Sequence, residues 1–325
     1  MHHAITRRHA LAALGGLLAA MRAKAQAWPA RPIRAVVPFA AGSAVDVVSR
    51  AVFEQLSAQL GQTFVVENRA GAGGTIGTGF VAKAEPDGYT LLATSSAHSI
   101  APALNTSLGY DTQRDFVAVV PLGLNPFVLV VAPEKGFKTA REFVTAANAR
   151  PGAFSFASVG EGSASHLSAE RFRLSAGMQA VHIPFKGGPE AMSEVMAGRV
   201  DFFFMALGAA LPQIRAGKLT ALAVNTGRRS PALPSVPTLQ EAGFGNAEFP
   251  TWFGLFLPAK TPREIVDRLQ RETAKALQEP KLRERLAALG VEPMVVVTAA
   301  EFDAFVETEL ALNAALAKAV GLNSK

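Results

Sequence analysis

The chain has no cysteine among its 325 residues. That excludes a disulfide framework, a thiolate metal site and a cysteine nucleophile, so the fold rests on packing alone. Beyond residue 27 the only histidines are His98, His166 and His182, and no two of them stand three or four residues apart. No metal motif is present, and neither a metal nor another cofactor is expected. The G-x-S-x-G turn of the α/β-hydrolases is absent. A P-loop is absent too, because Ala216-Gly217-Lys218 has Pro212 where the first glycine should stand. In the glycine-rich GAGGTIG segment, counting from Gly71 puts Ile76 where a dinucleotide-binding loop needs its third glycine, so the segment reads as a turn entering a helix.

Acidic residues are missing from the first 27 positions, which hold Arg7, Arg8, Arg22 and Lys24, an apolar run from Ala10 to Met21, and Ala25-Gln26-Ala27. This is the pattern of a cleaved export signal, and the run is shorter than the roughly 20 residues of a membrane span. Thr6-Arg7-Arg8 leaves both the general and the twin-arginine routes open. Removing the four basic residues leaves 28 against 26 acidic ones, a net charge of +2 instead of +6. The sequence pI near 9.8 therefore belongs mostly to the signal. No basic run remains to suggest nucleic acid or a membrane surface as a partner. A periplasmic location is expected.

From Trp28 onward, short β-branched or aromatic runs alternate with helical stretches: IRAVV, TFVVE, TLLAT, FVAVV, FVLVVA, FSFAS, VHIPF, VDFFF, LTALAV, WFGLFL and MVVV. This rhythm predicts an α/β protein with largely parallel sheets. Capping boxes are expected at Ser43/Asp46, Thr139/Glu142, Thr298/Glu301 and Thr261/Glu264, the last with Pro262 at the first helical position. Gly61, Gly198, Gly217 and Gly290 stand where helices should stop.

Two segments carry chemistry. PFAAGSAVD, Pro38 to Asp46, follows the strand Ile33 to Val37, and SVGEGSASH, Ser158 to His166, follows Phe154 to Ala157. Glycine lets each backbone turn sharply, and Ser43 or Ser163 then opens a helix whose first N–H groups lack internal partners. That makes a cradle for a small anion. Asp46 reads as a cap that orders the first loop, since a bare carboxylate would repel an anionic ligand. Phe39 is an aromatic candidate for the wall, and Lys186 in PFKGG reads as a solvated turn residue. Ser163, His166 and an acid leave a serine-hydrolase reading open, although a cap and its first-turn neighbour explain the pair.

These segments, with WPARPIRAVVPFAAG (Trp28 to Gly42), VVENRAGAGGTIGTGFVAKAEPDGYTLL (Val65 to Leu92), VHIPFKGGPEAM (Val181 to Met192), LPSVPTLQEAGF (Leu233 to Phe244) and WFGLFLPAKTP (Trp252 to Pro262), resemble the substrate-binding receptors of tripartite tricarboxylate transporters, the Bug proteins. The likeness covers essentially the whole chain after residue 27. It implies a two-domain Venus-flytrap of the type II periplasmic binding protein kind, each domain a mostly parallel sheet flanked by helices. Residues 28–127 with 252–325 form one domain and 128–251 the other. It also implies no enzymatic activity, a small organic acid as ligand, integral membrane transporter subunits as partners, and a monomer. Carried over by position, the ligand site comprises Phe39, Ala41, Gly42, Ser43 and Asp46, then Ser158, Gly160, Gly162, Ser163 and His166. Thr94 and Ser95 are weaker candidates at a third strand end. A sensor without transport remains an alternative. Met205, where relatives often carry Asp, suggests a more apolar wall and a less polar or aromatic acid.

Overall fold

The computed structural model describes residues 28–105, 107–294 and 298–322. The expected export signal and three residues of the MVVV run lie outside them. Ten of the apolar runs form strands: β1 Ile33–Val37, β2 Phe64–Asn68, β3 Thr90–Ser95, β4 Phe116–Leu124, β5 Phe127–Val131, β6 Phe154–Ser158, β7 Ala180–Pro184, β8 Phe202–Ala206, β9 Thr220–Val224 and β10 Trp252–Pro258. They make two five-stranded sheets, ordered β2-β1-β3-β10-β4 and β7-β6-β8-β5-β9. β1 pairs in parallel with β2 and β3, and β6 with β7 and β8. β10 runs antiparallel to β3 and β4, and β5 antiparallel to β8 and β9, so both sheets are mixed. The reversals occur where the chain changes sheet, because a strand arriving from the other lobe enters from the opposite end.

Helices cover the sheet faces, and their apolar periods show why. In α1 (Ala44–Leu60), Val45, Val48, Val52 and Leu56 are buried together on one face. They meet Ile33, Ala35 and Val37 of β1 along with Ile265, Val266 and Leu269 of α8 (Arg263–Ala276) in one apolar cluster. In the second lobe, α4 (Ala140–Asn148) and α5 (Ala164–Ser175) supply Phe143 and Phe172 to a core with Phe156, Phe202 and Phe204. The remaining helices are α2 Thr75–Ala82, α3 Ala97–Leu104, α6 Gly188–Met196, α7 Leu207–Arg215, α9 Pro280–Ala288 and α10 Ala299–Ala319. No described helix is long and apolar enough to cross a membrane.

The helix stops fall where expected, with Gly61, Gly198, Gly217 and Gly290 all left-handed. The starts differ in detail. Thr298 and Glu301 form the full reciprocal box. Thr139 accepts from the Glu142 N–H at 3.1 Å, but the Glu142 carboxylate takes the N–H of Lys138 instead of Thr139. The helix after Thr261 begins one residue late: Pro262 is its cap, its carbonyl accepting from Ile265 and Val266, while the Thr261 hydroxyl donates to the Pro258 carbonyl. Ser43 makes no side-chain cap bond, and the Asp46 carboxylate reaches past it to the N–H of Gly42.

Candidate ligand site at two matched turns

β1 and β6 each end in a turn that opens a helix, and the two turns are built alike. Gly42 and Gly162 have φ of +80° and +72°, a region closed to most side chains, and each is followed by an extended serine, Ser43 or Ser163. The serine N–H donates three residues back, Ser43 to Ala40 at 3.1 Å and Ser163 to Gly160 at 3.2 Å. The serine carbonyls accept from Val47 and Leu167, both at 2.9 Å. Each glycine N–H donates four residues on, Gly42 to Oδ2 of Asp46 and Gly162 to Nδ1 of His166, both at 2.9 Å.

The glycine amides are therefore committed within their own lobes. Gly160 too gives its N–H to Ser158 Oγ. The donors left over lie further along, at Ala44, Val45 and Asp46 and at Ala164 and Ser165, in the first turns of α1 and α5 where no intrahelical acceptor exists. The Ser43 hydroxyl is buried and unpartnered. Its counterpart Ser163 Oγ donates to Gly160 O at 2.7 Å and accepts from the His166 N–H.

Asp46, 2% exposed, braces the first turn by accepting from Gly42, from Asn68 Nδ2 at 2.8 Å and from Arg50 Nε at 3.0 Å. Burial alone would raise its pKa. The bonds from Arg50, Gly42 and Asn68 outweigh that and hold it below the usual carboxylate range. Asn68 also donates to the Phe39 carbonyl. In the second lobe, buried Ser158 donates to Gly160 O, and His182 Nε2 lies 2.7 Å from the same hydroxyl. With the hydroxyl proton given to Gly160, His182 is the donor. The His182 ring stacks on His166 at 3.8 Å between centroids, and Phe156 lies near both rings, 4.9 Å from His182 and 6.0 Å from His166. Burial, then the neighbouring His182, lowers His166 to about 4, and burial lowers His182, so both rings are neutral near pH 7.

The sequence-expected residues thus fall into two groups. Phe39, Ala41, Gly42, Ser43 and Asp46 share one turn; Ser158, Gly160, Gly162, Ser163 and His166 share the other. Thr94 is buried within β3, next to β1, and Ser95 ends that strand. Among the described residues no hydrogen bond joins the two turns. From the first lobe α3 reaches the second turn, where a Cβ on Gly162 would stand 2.4 Å from Cδ1 of Leu104, and α10 joins it through Leu316 in one apolar cluster with Ala164 and Leu167. Met205 is 4% exposed in the core with Val128, Val130 and Phe203, so it forms no part of a ligand wall and the inference drawn from it lapses. Lys186 is exposed, its N–H donating to Glu190. Asn68 and His182 were not anticipated, since each acts through a strand pairing that local pattern does not reveal. Ser163 and His166 are not hydrogen-bonded as a nucleophile and its base would be: the hydroxyl proton goes to Gly160, and Nδ1 of the ring is taken by Gly162.

A family model described as "Tripartite tricarboxylate transporter family receptor" matches residues 48–322. The chain belongs to this family. The receptor is 37% identical over 303 residues to Protein BugT of Bordetella pertussis, covering 93% of each chain. Among solved structures, the periplasmic binding protein BugD is 34% identical with a TM-score of 0.77, over 92% of this chain and 100% of the other. The R. palustris protein Rpa4515, solved with adipate, is 32% identical with a TM-score of 0.80 over the same shares. The family consists of substrate-binding receptors, not enzymes, and its members are periplasmic binding proteins.

Proposed function

We propose that this receptor captures a small organic acid between its two lobes in the periplasm and delivers it, as a monomer, to the membrane subunits of a tripartite tricarboxylate-type transporter. The observation that carries the reading is the matched pair of turns, one per sheet, each presenting unpaired N–H groups at the start of a helix. Helix N-termini favour a carboxylate by roughly 0.3–2 kcal/mol each. Micromolar affinity needs about 8 kcal/mol, so neither turn suffices and closure of both lobes must supply the rest. The bound adipate of Rpa4515 supports an acid of this kind. The ligand site then comprises the ten turn residues, with the free amides of Ala44, Val45, Asp46, Ala164 and Ser165 as the donors nearest the anion. Isothermal titration with adipate and a panel of mono-, di- and tricarboxylates tests the reading. It expects saturable binding of at least one acid, recovered chemically unchanged, and it fails if none binds or if the acid is consumed.

A further inference from the structure

The two turns hold no lysine and no arginine, yet each carries an acid, Asp46 in the first and Glu161 in the second. Asp46 is balanced by Arg50 and by the N–H donors of Gly42 and Asn68. Glu161 is exposed and makes no hydrogen bond and no ion pair among the described residues. An anion seated at the second turn therefore meets an unbalanced negative charge, and its binding improves if a positive one is added nearby.

Two imidazoles stand beside this turn, and their bonds are not equivalent. His166 Nδ1 accepts the Gly162 N–H at 2.9 Å, so the ring proton is on Nε2, 3.9 Å from Glu170 Oε1. A second proton on Nδ1 would set two N–H groups against each other and release Gly162. His182 donates from Nε2 to Ser158 Oγ at 2.7 Å, and its Nδ1 makes no hydrogen bond among the described residues. This half-buried ring takes a proton at Nδ1 and still holds Ser158, and through Ser158 both the N–H and the carbonyl of Gly160. With the rings 3.8 Å apart, a charge on one keeps the other neutral. Charged groups surround His182 on several sides. From α5 come Glu170 and Arg173, paired at 2.6 Å, and from the turn comes Glu161; β6 brings none, and the segment after β7 carries Lys186 and Glu190, both exposed. Burial lowers the pKa of His182, and the charges of Glu170 and Glu161 work against that.

Resting on the reading of the turns as a carboxylate site, we propose that the receptor captures its acid together with a proton from solvent, held on Nδ1 of His182, so that an imidazolium balances Glu161 while the acid is bound. The two events are one linkage: the bound anion raises the ring's pKa, and the charged ring raises the affinity for the anion. Near pH 7 the empty receptor has a neutral ring. Uptake then occurs between the pKa values of the empty and the loaded receptor, so affinity rises as pH falls into that window and is flat above it.

The test is calorimetric titration of the purified whole protein with adipate, malate and benzoate, from about pH 8 to about pH 6, in buffers of different ionisation enthalpy. For an acid that binds, net uptake of roughly a few tenths of a proton is expected at the acid end and none at the alkaline end, with an affinity gain of about threefold or more between them. His182→Gln keeps an N–H donor for Ser158 but takes no proton, so it should bind without uptake and hold the wild-type affinity of the alkaline end throughout. In the wild type, the NMR titration of the His182 ring should move to higher pH when the acid saturates the site. If His182→Gln fails to fold, that titration decides the matter alone. Binding without uptake, uptake that persists in His182→Gln, or a ring titration unmoved by the acid would each overturn this proposal and leave the carboxylate site standing. Absence of binding by all three acids at every pH would overturn both.

Discussion

Three buried titratable side chains set how this receptor responds to pH, and they pull in opposite directions. His98 sits between Phe116 and Phe256 with neither ring nitrogen bonded, and burial lowers it to about 3. His166 is lowered to about 4. Both folded values lie below the unfolded 6.5, so their full stability is present above that value and is lost as pH falls toward 4. Glu309 on α10 goes the other way: burial raises it to about 7, against the pull of Arg171. Its contribution is complete below the unfolded value of 4.5 and disappears as pH rises through 7. Each shift amounts to roughly 3–5 kcal/mol at the unfavourable end. Urea unfolding from pH 4 to 8 should therefore show Glu309→Gln more stable than wild type at pH 8 and little changed at pH 5. His98→Leu should flatten the loss of stability between pH 6.5 and 4, and an unaltered slope would contradict the assignment. Asp46→Ala strands the Gly42 N–H, Asn68 and Arg50 at once, and a loss of about 2–4 kcal/mol is expected in the same assay. At this scale the sequence was partly legible. Ser163 and His166 read correctly as cap and first-turn neighbour because both lie in one local segment. His182 did not, because its bond to Ser158 depends on β7 pairing with β6, 24 residues away.

Turns and helices were legible wherever local chemistry decides them. The left-handed glycines after four helices, and the entry from GAGG into a helix, follow from what glycine alone permits. The box at Ser43/Asp46 was not legible in detail, because Asp46 has a choice of N–H groups and the positive φ of Gly42 brings that residue's amide within reach. The two turns, nearly identical in backbone, differ in what lies above them, and this makes a prediction at the level of the element. A Cβ at Gly42 meets nothing within 4 Å, whereas one at Gly162 collides with Leu104 of α3. Gly42→Ala should cost only backbone strain, on the order of 1 kcal/mol. Gly162→Ala adds a collision with the tip of Leu104 that forces this side chain aside, so it should weaken carboxylate binding beyond Gly42→Ala. Shortening the opposing side chain in Leu104→Ala/Gly162→Ala should restore part of that loss. Titration of the three variants decides it, and equal weakening by both alanines would show that Leu104 exerts no leverage.

For the molecule as a whole, two chain crossings hold the lobes together, and they are bonded to each other. Asn125 donates its N–H to Thr251 O at 2.7 Å and accepts at its carbonyl from the Thr251 hydroxyl. On the second-lobe side, fully buried Asn225 accepts the Phe127 N–H at Oδ1 and donates from Nδ2 to the Phe249 carbonyl at 2.8 Å, so one side chain ties the outgoing strand to the returning segment. Strand rhythm and the family resemblance anticipated two sheets, but not the antiparallel strands β5 and β10, because direction within a sheet depends on where the chain crosses and not on the composition of the strand. Asn225 was invisible for the same reason: its partners are 98 and 24 residues away. Asn225→Ala leaves a buried N–H and a buried carbonyl unpaired at the crossing, which should cost about 2–4 kcal/mol of unfolding free energy. Thr251→Val removes one hydroxyl yet keeps the Asn125 N–H bond, so a cost nearer 1 kcal/mol is expected. If the crossings serve as the hinge, Thr251→Val should also alter the compaction that a bound carboxylate produces in small-angle scattering, while leaving the size of the empty protein unchanged. A variant that closes as wild type does would place the hinge elsewhere in the chain.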